Sequence, residues 1–327
     1  NTFTDNAVAI RFDATSTGTT VTGNTVTAGG LSGIYVSGTL NANVTWQSDW
    51  TYVLQSEVTV PSSVTLTIAP GVVVKGQPAS NNRLNVSGTL IADGTPSAPI
   101  VFTSIYDDLY GGDTNGDGNA SAPAAGNWAG IGFSGTSTGN LLDNIILRYA
   151  GRSTNINGQQ IPLFIGTSDL TLSNSLIEES SGSYGIYVSS ASPTITGNTL
   201  SSAVTTGIYA NNSDAVITDN TISNSTSTGI VAGTGSNPTI TGNTFTDNAV
   251  PIRLDGTTTG TTVTGNTVTA GGLSGIYVLG TLSANVTWQS DWPYVLQSQV
   301  TVPTGVTLTI APGVVVKGLA NTNNRLA

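Results

Sequence analysis

Residues 1–85 return as residues 243–327. The two stretches are offset by 242 positions with no insertion or deletion, and 70 of their 85 aligned residues are identical. The opening NTFTDNAVAIRFD comes back as NTFTDNAVPIRLD. TWQSDWTYVLQSEVTVPSSVTLTIAPGVVVKG comes back as TWQSDWPYVLQSQVTVPTGVTLTIAPGVVVKG. The chain therefore holds one full period, residues 1–242, and the start of the next, residues 243–327. Such a repeat constrains the fold more than any single motif, because each unit must be able to follow itself. It leads us to expect a window of a longer array, continued covalently or by identical subunits stacked end to end. The lack of an initiator Met or signal peptide fits a piece of a processed protein.

A shorter period lies inside the long one. The phrase Thr-Val/Ile-Thr-Gly-Asn-Thr occurs at residues 20–25, 194–199, 239–244 and 262–267, with the variant VITDNT at 216–221. Its Asn falls at Asn198, Asn220, Asn243 and Asn266, in steps of 22, 23 and 23. A unit of that length, made of short strands and fixed turns, is one coil of a parallel β-helix. Alternation sends Ile240 inward and Thr239 and Thr241 outward. Gly242 and Asn243 sit at the bend, where both tolerate left-handed backbone angles. Asn residues repeated at one bend can bond their amides from coil to coil. We expect this ladder to comprise Asn24, Asn144, Asn174, Asn198, Asn220, Asn243 and Asn266.

Composition agrees with an all-β chain. β-branched residues are frequent, there are 40 Gly, and no helical pattern stands out. The expectation is one continuous β-helix over residues 1–327 at 22–23 residues per coil, about 14 coils and roughly 65–70 Å long at about 4.8 Å per coil. One period would then advance about 50 Å. Residues 105–130 are too polar and Gly-rich to continue the coils and should form an inserted loop.

The net charge of −10, with eight scattered Lys and Arg, argues against a nucleic-acid partner. No run of 18 apolar residues exists, so no membrane insertion is expected in this segment. There is no Cys and no His, which removes disulfides, thiolate chemistry and a Ser-His-Asp set. The adjacent Glu178 and Glu179 could suggest glycosidase-type carboxylates. A solvated coil edge is the simpler reading, and no catalytic residue is assigned.

One stretch resembles a metal loop. Asp113-Thr-Asn115-Gly-Asp117-Gly118 alternates oxygen-bearing side chains and places Gly at the sixth position, as in the first half of an EF-hand loop. The carbonyl of Asn119 would follow as a ligand. The twelfth position is Ala124 rather than Glu, so Asp107 and Asp108 are the candidates for the missing carboxylates. The expected ion is a structural calcium; the alternative is a solvated polar turn. Trp46 and Trp50, with their copies Trp288 and Trp292, could stack on sugars or fill a wide point of the core. Outward Thr pairs (Thr194/Thr196, Thr239/Thr241, Thr262/Thr264) resemble an ice-binding face, but Val216 interrupts the row.

The segments TWQSDWxYVLQSxVTVPxxVTLTIAPGVVVKG and GGDTNGDGxxxxPxxGNWAGIGF look like those of large secreted bacterial surface proteins with right-handed parallel β-helix repeats. With the Asn coils, the resemblance covers nearly the whole chain. It implies an extracellular or cell-surface location and a structural role as the shaft of a fibre, filament or adhesin. Neighbouring repeats or identical subunits would be the partners, with surface polysaccharide as a further one. It implies no activity. The alternative is a carbohydrate-binding or carbohydrate-cleaving β-helix.

Overall fold

The computed structural model describes the chain apart from residues 1, 5, 7, 14–24, 29–30, 79–81, 153–159, 203, 290–291 and 321–323. The described residues contain strands and turns but no α-helix. Alternation decides the shortest strands. Thr194–Thr196, Val216–Thr218 and Thr239–Thr241 each bury the middle Ile and leave the flanking residues at the surface. The next residue takes a positive φ: 68° at Gly197, 57° at Asp219 and 68° at Gly242. That left-handed residue turns the chain onto the next face.

Successive coils pair in parallel and build three columns of strands. The inward row of the first column runs from Trp46 through Ile68, Leu172, Ile195, Ile217 and Ile240 to Val263. The second runs from Tyr52 through Val74, Phe102, Leu147, Ile177 and Phe245 to Val268. The third passes Val58, Leu84, Ile131, Leu163, Ile186, Ile208, Ile230, Ile252 and Ile276 to Tyr294. Most of these residues are fully buried and belong to one continuous core. Burying each aliphatic side chain contributes about 1.5–3 kcal/mol.

The chain makes about 12 turns, fewer than the 14 expected. The third row joins Val58 to Tyr294, in the next copy of the same strand, by nine pairings. Tyr294 copies Tyr52, which stands one column before Val58, so a period of 242 residues is about nine and a third coils, a mean of about 26 residues each. It advances about 45 Å rather than 50 Å. The excess residues lie in connections, chiefly between Ile100–Ser104 and Gly130–Phe133 and between Ile145–Arg148 and Leu163–Ile165, whose described residues add no strand to any column.

The Asn ladder is present in part. Asn198 donates from its backbone N and its Nδ2 to Asn220 Oδ1, at 2.9 and 3.0 Å. Asn220 does the same to Asn243 Oδ1 (both 3.0 Å), and Asn243 to Asn266 Oδ1 (2.9 and 3.0 Å). Asn144 and Asn174 are not members. Register sets Ser173 opposite Thr196, so Asn174 is level with Gly197 and Ser175 with Asn198. Asn144 and Asn174 hold the left-handed turn instead, with φ of 47° and 49°. Ser175 takes the ladder position, accepting from Ile145 N at 3.1 Å and donating its own N to Asn198 Oδ1 at 3.0 Å. Asn24 lies outside the described residues. A second, broken row stands at the following corner: Ser180 N donates to Ser202 Oγ (3.3 Å) and Ser225 N to Asn248 Oδ1 (3.1 Å), while Ser225 Oγ accepts nothing. Its residues also recur every 22 or 23 positions, a signal the first phrase overshadowed.

The Trp residues belong to the coil joint. Trp46 is 3% exposed and stacks on Tyr52, with centroids 4.6 Å apart; Trp288, 4% exposed, stacks on Tyr294 in the same way. Neither offers a ring face to a sugar, which overturns that expectation for both. Trp50 and Trp292 are half-buried against the core, and Trp292 lies 6.1 Å from Phe245, near the end of the second column. Outward Thr pairs do align along the first column, and Thr218 Oγ1 donates to Thr196 Oγ1 at 2.9 Å. Val216 stands in that row, 38% exposed.

Candidate functional site at the inserted loop

The loop leaves the corner between the second and third columns, after Ser104, and returns at Gly130. It folds back over earlier coils. Ser32 N donates to Thr114 O (3.1 Å), Ser32 Oγ to Asp113 O (3.1 Å), and Thr51 Oγ1 to Gly111 O (3.4 Å). Beneath it, Tyr35, Val53 and Ile105 form a small apolar cluster. Trp128 ends the loop, fully buried, and its Nε1 donates to Arg148 O at 3.0 Å. It lies so close to Gly76 that a Cβ there would come within 2.6 Å of the indole. Only Gly fits that place in VVVKG.

Two charged anchors hold the loop. Lys75, on Val73–Gly76, is completely buried and donates from Nζ to Gly112 O at 2.6 Å. Burial pulls its pKa down to about 8, although Asp108, Asp107 and Asp113 work in the opposite direction. Arg148, on Ile145–Arg148, lies 3.7 Å from Asp107 and 3.5 Å from Glu178, with Tyr149 and Tyr110 rings 4.6 and 5.5 Å from its guanidinium carbon. Thr103 Oγ1 donates to Asp107 Oδ2 at 2.6 Å. Asp107 thus closes the base of the loop rather than joining the acidic cluster. Glu178 serves Arg148 while Glu179, at φ 48°, points into solvent, so the two do not converge as a catalytic pair.

Asp108, Asp113 and Asp117 do converge: one carboxylate oxygen from each lies within 4.8 Å of the others. The loop is wound around Asp113, whose Oδ1 accepts from Gly116 N (2.7 Å) and Asp117 N (3.2 Å) and whose Oδ2 accepts from Gly118 N (2.8 Å). Asn115 donates to Asp117 Oδ2 at 2.8 Å. Its Oδ1 and the Oδ1 of Asp108 are buried without a hydrogen-bond partner. Burial, then the Asp113 carboxylate, raises the Asp108 pKa, and Lys75 partly offsets this. The described contacts do not draw Asn119 into the cluster; it is exposed. The oxygen-only donor set fits a hard cation. Asp108 comes from outside the Asp-x-Asn-x-Asp spacing, and no local pattern reveals Lys75 as its neighbour or Arg148 as that of Asp107.

Two family comparisons bear on the chain. Residues 161–291 match the family described as Right handed beta helix region. Residues 38–144 match Pectate-lyase like beta helix domain. No curated protein and no solved structure matches it. With the parallel columns, these matches decide the class. The chain is a right-handed parallel β-helix repeat protein. The second match spans Lys75 and the whole acidic cluster but stops short of Arg148, at Asn144. No helix of the described residues is long and apolar enough to cross a membrane.

Proposed function

We propose that the chain is a length of structural shaft from a secreted or surface-displayed fibre, filament or adhesin. One observation carries this reading: the third strand column runs through the boundary between the sequence copies, from Ile230 to Ile252, without a break. A repeat boundary that is not a domain boundary is what an extended array needs, since each coil is then supported by its neighbours. The partners are further repeats of the same kind, joined covalently or by subunits stacked end to end. Electron microscopy of native material should reveal unbranched rods. Compact, isolated particles would overturn the reading.

Within the shaft, calcium is the proposed brace of the loop, held by Asp108, Asp113, Asp117 and Asn115. The two buried, unpartnered oxygens of Asp108 and Asn115 support this, because a cation would satisfy both. The double variant Asp113→Ala, Asp117→Ala should lose a calcium-dependent rise in melting temperature that the parent chain displays. A parent chain that melts identically with calcium and with chelator would remove the ion.

The match at residues 38–144 favours a second reading, a β-helix that binds or cleaves an acidic polysaccharide near Lys75 and the acidic loop. Cleavage or retention of members of a polysaccharide panel would raise this reading above the shaft; neither would remove it.

A further inference from the structure

We infer that consecutive periods of the array do not present their loops on one side of the shaft: the loop moves round the axis from each period to the next. This deepens the shaft reading and rests on it. The observation is the fate of the third column. Its inward row begins at Val58 and reaches Ile276 and then Tyr294. Tyr294 is the copy of Tyr52, which opens the second column by pairing with Val74. The next strand agrees, since Val316–Gly318, the copy of Val74–Gly76, stacks on Tyr294–Leu296. What is the third column in one period therefore becomes the second in the next. Among the described residues the old second column goes no further than Thr267–Ala270, and Trp292 packs close by on Phe245.

The device is a long strand with no turn in it. Tyr52–Val60 pairs through residues 52–54 with the second column and through residues 58–60 with the third. In the second copy, Tyr294–Thr301 lies along Ile276–Thr281 by both of its halves. The strand below, Val250–Asp255, supports only the first part, residues 276–279. A new third column is thus begun beyond the old one while the old second column ends. The loop leaves the corner between second and third columns, so that corner stands one column further round in the following period. A partner that recognises the loop meets it on different sides of the shaft at successive levels. This fits partners arranged around the shaft rather than one flat surface along it.

The chain contains no Cys, so engineered disulfides read the stacking directly. Thr281 and Thr301 are parallel neighbours across the handover, and their Cα separation of about 4.8 Å falls within the disulfide range of about 4.4–6.8 Å. Thr281→Cys with Thr301→Cys should close under mild oxidation to the same fraction as a pair within one column, Thr218→Cys with Thr241→Cys. Thr269→Cys with Val295→Cys, which straight stacking of second column on second column would bring together, should stay reduced. The inference is overturned if the Thr269/Val295 pair closes while the Thr281/Thr301 pair remains reduced. That result would leave the rods themselves intact, whereas compact particles in electron microscopy would remove the shaft whatever the disulfides do.

Discussion

Asn220→Ala should destabilise the chain by about 3–5 kcal/mol, among the largest effects expected of a single corner residue. Asn220 is 1% exposed, and its Oδ1 accepts both the backbone N and the Nδ2 of Asn198. Its own Nδ2 donates to Ile195 O, Thr218 O and Asn243 Oδ1. Truncation strands two donors of one buried neighbour and removes a donor from three acceptors, and each unsatisfied buried group costs about 1–3 kcal/mol. The comparison is Asn224→Ala. Asn224 is exposed, donates only weakly to Ser223 Oγ (3.4 Å) and holds φ 62°, so Ala there costs about 1–2 kcal/mol of left-handed strain. Urea unfolding of the two variants checks this. Equal shifts in midpoint would mean that the ladder does not support the coils.

Arg148→Ala should release the loop without unwinding the helix, at a local cost of about 3 kcal/mol. Arg148 is the cation facing Asp107, which is 3% exposed, and it also faces Glu178. Removing it leaves Asp107 buried with an uncompensated charge. It also removes the cation held between the Tyr110 and Tyr149 rings. Hydrogen exchange should accelerate at Ile105 and Asp107, whose amides are bonded to Gly76 O and Ser104 O, and remain slow at Ile195 and Ile217. Unchanged exchange at the loop would show that Lys75 and the apolar cluster hold it alone.

The solenoid was legible in the sequence because each coil repeats the same local chemistry. Ile195, Ile217 and Ile240 face inward in a three-residue strand, and the residue after it must turn left-handed; neither depends on distant contacts. The number of coils was not legible, because connections such as residues 105–129 consume residues without adding a strand to any column. Asn144 and Asn174 misled for a related reason. Asn suits both the left-handed position and the ladder position beside it, and only register with Gly197 and Asn198 separates them. The loop was half legible. Its internal spacing pointed to Asp113 and Asp117, but Asp107 and Asp108 are adjacent in sequence and serve opposite partners, one Arg148 and the other the acidic cluster. The handover between columns had a signal that was easy to pass over: YVLQSEVTV runs from Tyr52 to Val60 with no Gly, Asn or Pro to bend it.

The central claim is that 242 residues make about nine and a third coils along one axis, and the axial repeat of native material tests it most directly. Electron microscopy or fibre diffraction should give a coil spacing of about 4.8 Å and a longer rise per period near 45 Å. Rows of separate globular beads, or rods lacking any axial periodicity near 45 Å, would contradict the account.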